Sequence, residues 1–197
     1  VISLNGGNMA VECGDSFVDP GATASDSCAG DLSGLIVVAG DVVDTSTPGV
    51  YVITYNVSDG VNSATQKTRT VTVSDTTPPT LSLLGGSSVT LACGKPYIDA
   101  GATADDDCVG LLTDAIVIGG DSVDVSTAGE YVITYDVTDG ANAAAQVTRT
   151  VTVQDVTPPS LVLLGEDIVL ECGDVFVDPG AIASDNCATS LADTPVL

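Results

Sequence analysis

The chain has 197 residues, 44% of them apolar and 16% charged, and its 27 acidic residues against 4 basic ones give a net charge of −23. That apolar content is too high for a disordered tail, and that charge opposes nucleic acid and anionic membrane surfaces as partners. There is no histidine, so the commonest general base and the commonest transition-metal ligand are both missing, and no apolar run approaches the roughly 20 residues that cross a bilayer as a helix.

In chain order, the first signal is the alternation of Met9, Val11 and Cys13 on one face, which predicts a short strand. Residues 51–57 then alternate with Tyr51, Ile53, Tyr55 and Val57 inward and Thr54 and Asn56 toward water. After the turn residues Ser58-Asp59-Gly60-Val61-Asn62, the run Thr68 to Val73 alternates again, so the two runs predict a hairpin. Ser74-Asp75-Thr76-Thr77-Pro78-Pro79 follows, where the prolines end ladder bonding and stiffen the link. Residues 81–160 laid over residues 1–80 without a gap match at 43 of 80 positions, so the whole pattern is a tandem repeat. Its strands reappear at Val89, Leu91 and Cys93, at Tyr131 to Val137 and at Thr148 to Val153. A third copy starts after a second Pro-Pro link, with Ile168, Leu170 and Cys172 as its first strand, and ends before any counterpart of the hairpin. The expected organisation is a module over residues 1–75, a second over 76–155 and the first half of a third over 156–197. Six or seven short strands in about 80 residues, with no run at helical spacing, predict an all-β chain of antiparallel β-sandwich modules.

The residues also carry a resemblance. Cys13-Gly14, Phe17, Asp19-Pro20-Gly21-Ala22, Ala24, Asp26 and Cys28, followed by Gly49, Tyr51, Ile53-Thr54-Tyr55, Val57, Asp59-Gly60 and Arg69-Thr70-Val71-Thr72-Val73, resemble the bacterial Ig-like repeats of the pesticidal-crystal-protein type and, more distantly, the hyalin repeat. The pattern recurs in the second copy and, for its first half, in the third. The resemblance implies tandem Ig-like sandwiches that serve as stalks or accessory domains of large surface or secreted proteins.

Six cysteines fall as three pairs, Cys13/Cys28, Cys93/Cys108 and Cys172/Cys187, each 15 residues apart within one repeat. Six cysteines allow 15 connectivities, and repeat symmetry favours the one that every module can make alone, with reduced buried thiols as the alternative. Disulfides place the chain outside the cytosol, as an extracellular or cell-surface protein.

The acids are 23 Asp and 4 Glu. Turn chemistry accounts for Asp41, Asp44, Asp121 and Asp124, since a short carboxylate bonds nearby backbone amides. Strand direction suggests a second role. If the hairpin turn and the loop after the Cys93 strand share the pole that meets the preceding linker, Asp75 faces Asp99, Asp105, Asp106, Asp107 and Asp139, and Asp155 faces Asp178 and Asp185. Only Lys95 is near enough to neutralise the first set, so calcium, a hard cation that takes oxygen ligands, is the expected cofactor at the joins.

Arg69 and Arg149 occupy equivalent positions and are expected in ion pairs with aspartates of their own module. Phe17, Tyr97 and Phe176 are expected in cores. Asn56-Val57-Ser58 is a glycosylation sequon, with Asn56 on the outward face. Serines are plentiful but no base accompanies them, so no enzyme is expected. The leading expectation is a structural spacer or adhesive stalk of a surface protein or fibre. Its partners would be neighbouring modules or subunits of the same protein, including a head-to-tail filament whose strands complete the third module. An accessory or carbohydrate-binding module of a secreted enzyme is the alternative, and it lacks an aromatic platform.

Overall fold

The computed structural model describes residues 1–187. Repeat one forms seven strands: β1 (Ile2–Leu4), β2 (Met9–Glu12), β3 (Ala22–Asp26), β4 (Gly30–Asp31), β5 (Val37–Gly40), β6 (Gly49–Asn56) and β7 (Lys67–Ser74). They make two sheets, ordered β1-β3-β4 and β2-β7-β6-β5. Repeat two follows the same order with β8 (Thr80–Leu83), β9 (Ser88–Ala92), β10 (Ala102–Asp106), β11 (Gly110–Leu111), β12 (Val117–Gly120), β13 (Gly129–Asp136) and β14 (Val147–Gln154), and its larger sheet is ordered β12-β13-β14-β9. Repeat three contributes β15 (Ser160–Leu163) and β16 (Ala181–Ser184), paired antiparallel. Single 3-10 turns at Ser33–Leu35 and Thr113–Ala115 are the helical elements among the described residues, and none is long or apolar enough to cross a membrane. The chain is an all-β array of Ig-like sandwiches.

The period-two pattern explains the cores. In the β6–β7 hairpin Tyr51 lies opposite Val71 and Ile53 opposite Arg69, so the inward residues of both strands share one face. Ile53, Tyr55 and Val71 pack with Ile2 and Ala24 of the other sheet, and Phe17 closes over them. Thr54 and Asn56 are half-buried where water had been expected, because β5 pairs alongside and lays Ala39 opposite Thr54 and Val37 opposite Asn56. In repeat two Ile133, Tyr135, Val151 and Ala102 form the equivalent core, edged by Tyr97.

One pairing departs from the expected antiparallel plan. β2 runs parallel to β7, with Met9 opposite Val71, and β9 runs parallel to β14, with Val89 opposite Val151. Cys13 therefore sits where β7 ends, its amide donating to the Ser74 carbonyl at 2.9 Å. The same dependence explains repeat three. Residues 168–171, expected as a strand, form none, since the sequence holds no third counterpart of β7 to pair with them. Val169, Val175 and Phe176 are correspondingly exposed.

The chain divides into two compact units. The first gathers Val1–Thr80 with Ala104–Ala115 and Val137–Ala145, and the second gathers Leu81–Thr103, Ile116–Asp136 and the chain from Gln146 onward. Two segments of repeat two thus belong with repeat one.

At the centre of each larger sheet lies a buried cation. Arg69 is fully buried, pairs with Asp19 and donates to Tyr55 Oη at 2.8 Å and to the carbonyls of Asn5, Gly7 and Gly21. Arg149 repeats the arrangement with Asp99, Tyr135 and the carbonyls of Leu84, Gly86 and Gly101. Every guanidinium nitrogen is used, which is the condition under which a buried charge is tolerated. Removing one partner leaves the charge uncompensated. Asp19→Ala is expected to destabilise the first unit by about 3–5 kcal/mol in urea unfolding, and the double variant Arg69→Met/Asp19→Leu by clearly less.

Candidate functional site

The chemistry of this chain sits at the ends of the sandwiches. The expected within-repeat disulfides do not form. Cys13 is bonded to Cys108 and Cys93 to Cys187, while Cys28 and Cys172 are free and exposed. The reason lies in the parallel pairing. Cys13 follows β2 at the end of β7, whereas Cys28 follows β3 at the other end, where Asp26 shares a recess with Val1, Val57, Asp59 and Asn62 of the β6–β7 connection. An eight-residue strand separates those ends by about 25 Å, and no disulfide spans such a gap. The first cysteine of a repeat is instead placed to meet the second cysteine of the next.

The receiving loop is pre-shaped. Asp106 Oδ1 accepts the amides of Cys108 and Val109 at 2.8 and 2.9 Å. Asp26 holds Cys28 and Ala29 in the same way at 2.8 and 3.0 Å, and Asp185 holds Cys187 at 2.8 Å. Gly14 has φ +86°, and a Cβ there would stand 2.9 Å from the Asp107 carbonyl oxygen, so the backbone beside the staple admits only glycine.

The expected cation ligands separate into groups. Asp75, Asp106 and Asp139 each offer a carboxylate oxygen within 4.8 Å of the others, and they form the one such group of three among the described residues. Asp99 is elsewhere: it is the partner of Arg149 and accepts from Tyr135 Oη at 2.6 Å and Tyr97 Oη at 3.1 Å. The loop after β9 starts at the end of β14, opposite to the direction expected, and this carries Asp99 into the sheet. Asp178 occupies the equivalent position and accepts the Gly180 amide at 2.9 Å. Asp107 is exposed, Asp155 caps Thr157 at 3.1 Å, and neither they nor Asp185 join a group of three. Lys95 is exposed and makes no ion pair among the described residues, whose two ion pairs are those of Arg69 and Arg149. The turn role of the remaining acids is plain: Asp41 and Asp121 each accept a backbone amide of the adjacent strand at 2.7 Å, and Asp44 and Asp124 hold Ser46 and Ser126.

Hydrogen bonding and burial set the charges at this pole. Asp139 Oδ1 accepts the amides of Ala141 and Asn142, both at 2.6 Å, which holds its carboxyl below the ordinary range. Asp75 is pushed the other way, first by desolvation and then by the negative charges of Asp106, Asp139 and Glu12. The folded state grips that proton more tightly than the unfolded chain, so the stabilisation it gives in acid disappears as pH climbs through the raised value. Asn142 Nδ2 donates to the Asp75 carbonyl at 3.2 Å.

Glu12 was not foreseen. Its carboxylate accepts the Thr76 and Thr77 amides at 2.6 and 3.0 Å and both hydroxyls, clamping the linker, and these bonds, from Thr76 first, hold its carboxyl low. Repeat two has Ala92 in its place and repeat three Glu171, so the acid recurs in two of the three copies only. Asn56 is half-buried, and its Oδ1 accepts from Gln66 Nε2 at 3.0 Å.

The family model described as "Bacterial surface protein, Ig-like domain" matches residues 2–73 and 81–153. Pesticidal crystal protein Cry22Aa of Bacillus thuringiensis is 32% identical over 161 residues, which are 77% of this chain and 22% of that protein. Among solved structures, the lipoprotein BT2262 from Bacteroides thetaiotaomicron is 33% identical at a TM-score of 0.36, over 41% of this chain and 39% of that one. The M60 catalytic domain with the CBM51-1 and CBM51-2 domains from Clostridium perfringens ZmpB is 14% identical at a TM-score of 0.42, over 85% of this chain and 33% of that one. This chain spans about a fifth of the length of the pesticidal crystal protein.

The staple closes a loop of 95 residues between Cys13 and Cys108, for which chain entropy gives about 4–5 kcal/mol. Urea unfolding of the oxidised chain should therefore show Cys13→Ser destabilised by roughly that amount and Cys28→Ser within about 0.5 kcal/mol of the parent. Equal losses in the two variants would contradict the pairing.

Proposed function

This chain belongs to the family of bacterial surface protein Ig-like domains, and we propose that it is a load-bearing spacer, a stalk segment of an extracellular or surface protein that carries out no chemistry itself. The observation behind this reading is the overlap of the two staples. Cys93 lies inside the loop closed by Cys13–Cys108, and Cys108 lies inside the loop closed by Cys93–Cys187. Tension applied at the termini then runs from residue 1 to 13, across to 108, back to 93 and across to 187. The folded sandwiches hang beside a covalent path and bear little of the load. Such bonds persist in oxidising surroundings, which fits a secreted or surface location.

Cys28 and Cys172 are the open halves of the same ladder. Cys28 stands where Cys108 stands one repeat later, on an equally pre-shaped Asp26 loop, and Cys172 stands where Cys13 and Cys93 stand. Each is placed to bond a cysteine of another repeat, in the same polypeptide or in a second copy joined head to tail. Closing each bond joins two thiols and passes two electrons and two protons to a disulfide oxidant through thiolate exchange. A carbohydrate-binding role gains no platform from the aromatics: Phe17, Tyr51, Tyr97 and Tyr131 pack on the cores, Tyr55 and Tyr135 are buried, and Phe176 is the single exposed aromatic among the described residues.

Single-molecule stretching tests the load path. At about 3.5 Å per residue the oxidised chain should extend by only about 140 Å, the length of roughly 40 residues, and the reduced chain by about 690 Å. Within-repeat bonds would leave roughly 150 residues extensible, about 530 Å, and that length would overturn the proposal.

A further inference from the structure

The pole formed by Asp75, Asp106 and Asp139 holds three carboxylates, none of which makes an ion pair among the described residues. Asp106 is 6% exposed and spends Oδ1 on two backbone amides. Asp139 does the same, and its other oxygen, Oδ2, is shut off from solvent with no hydrogen-bond partner. A buried carboxylate oxygen without a partner is costly, and native structures rarely leave one so. The orphan recurs: Asp185, which stands two residues before Cys187 as Asp106 stands two before Cys108, also has a buried Oδ2 with no partner. Two such oxygens at sandwich ends, in a chain with four basic residues, are not accidents of one loop.

We propose that Asp75, Asp106 and Asp139 bind one calcium ion. The donor set is oxygen alone, which excludes the soft and borderline metals that seek sulfur or imidazole. Coordination habit then separates the two hard cations. Magnesium keeps several of its waters and is held by one or two carboxylates, whereas calcium takes more protein oxygens in a flexible geometry, and three carboxylates converge here with an oxygen of each within 4.8 Å of the others. With one oxygen of Asp106 and one of Asp139 taken by backbone amides, the three carboxylates supply up to four oxygens, and water fills the remaining positions. Asp75 comes from the linker that Glu12 clamps, Asp106 from the loop of the Cys13–Cys108 staple and Asp139 from the β13–β14 turn. The ion therefore ties three segments of the first unit together at the point where the staple crosses. The second linker offers Asp155 and Asp185, but the 197 residues hold no third counterpart of Asp139, so one ion per chain is expected. This goes beyond the spacer reading and does not need it: a stapled chain that ignores calcium, or a calcium-binding chain with other disulfides, would separate the two.

Calorimetric titration of the oxidised chain with calcium chloride should give one site with a dissociation constant of roughly 0.1–1 mM, the range of extracellular modules. Asp75→Asn and Asp139→Asn should each weaken it at least tenfold, while the exposed Asp107→Asn binds as the parent does. Thermal melting gives a second readout that a merely structural aspartate would not. In chelator Asp75→Asn should melt at or above the parent, because a repelling charge has gone; with calcium the parent should rise past it. No heat and no melting shift at about 10 mM calcium, an unweakened site in both variants, or equal binding of magnesium would overturn the assignment.

Discussion

The parallel pairing of β2 with β7, repeated by β9 with β14, is the constraint from which the rest of the architecture follows. It delivers the first cysteine of a repeat to the end where the last strand finishes and the linker begins. The second cysteine is delivered to the other end by β3, which runs antiparallel to β1. With the pair split between ends, a sandwich cannot staple itself, and the bond that forms must reach the neighbouring repeat. A feature that looks like local reinforcement is therefore a device for joining repeats, and the open Cys28 and Cys172 are its natural continuation.

Charge is distributed on the same plan. Of four basic residues, two are consumed at the sandwich centres, where Arg69 and Arg149 tie a half-buried carboxylate, a tyrosine hydroxyl and three carbonyls apiece. Those knots fix the Asp19 and Asp99 loops against the sheets and are the two ion pairs among the described residues, so none is left at the acidic ends. Backbone amides absorb one oxygen of Asp106 and one of Asp139, and at the pole the carboxylates of Asp75, Asp106 and Asp139 converge within 4.8 Å. The desolvated Asp75, raised by its neighbours, is the clearest sign that the folded chain concentrates negative charge at a join.

Much of this was legible in the sequence. The 80-residue period, the alternation through Tyr51, Ile53, Tyr55 and Val57 and the Pro-Pro links specify tandem sandwiches because a half-buried strand must alternate. Asp75, Asp106 and Asp139 were also within reach, since hairpin direction places turn and linker together. The pairing of the cysteines was not legible. Equal spacing within each repeat is equally compatible with bonds inside a repeat and between repeats, and only the parallel edge strand decides. Alternation cannot reveal strand direction, and the same blindness put Asp99 at the join when it belongs to Arg149. Glu12 escaped for a different reason: it acts on the next linker, 64 residues away, and although Glu171 repeats it beside Cys172, Ala92 breaks the pattern in the second copy.

The central claim is that the covalent bonds run from repeat to repeat. Proteolytic mapping of the oxidised chain without reduction, read by mass spectrometry, tests it most directly. A linked pair of peptides containing Cys13 and Cys108, with a second joining Cys93 to Cys187, is the predicted result; Cys13 joined to Cys28, or Cys93 to Cys108, would contradict it.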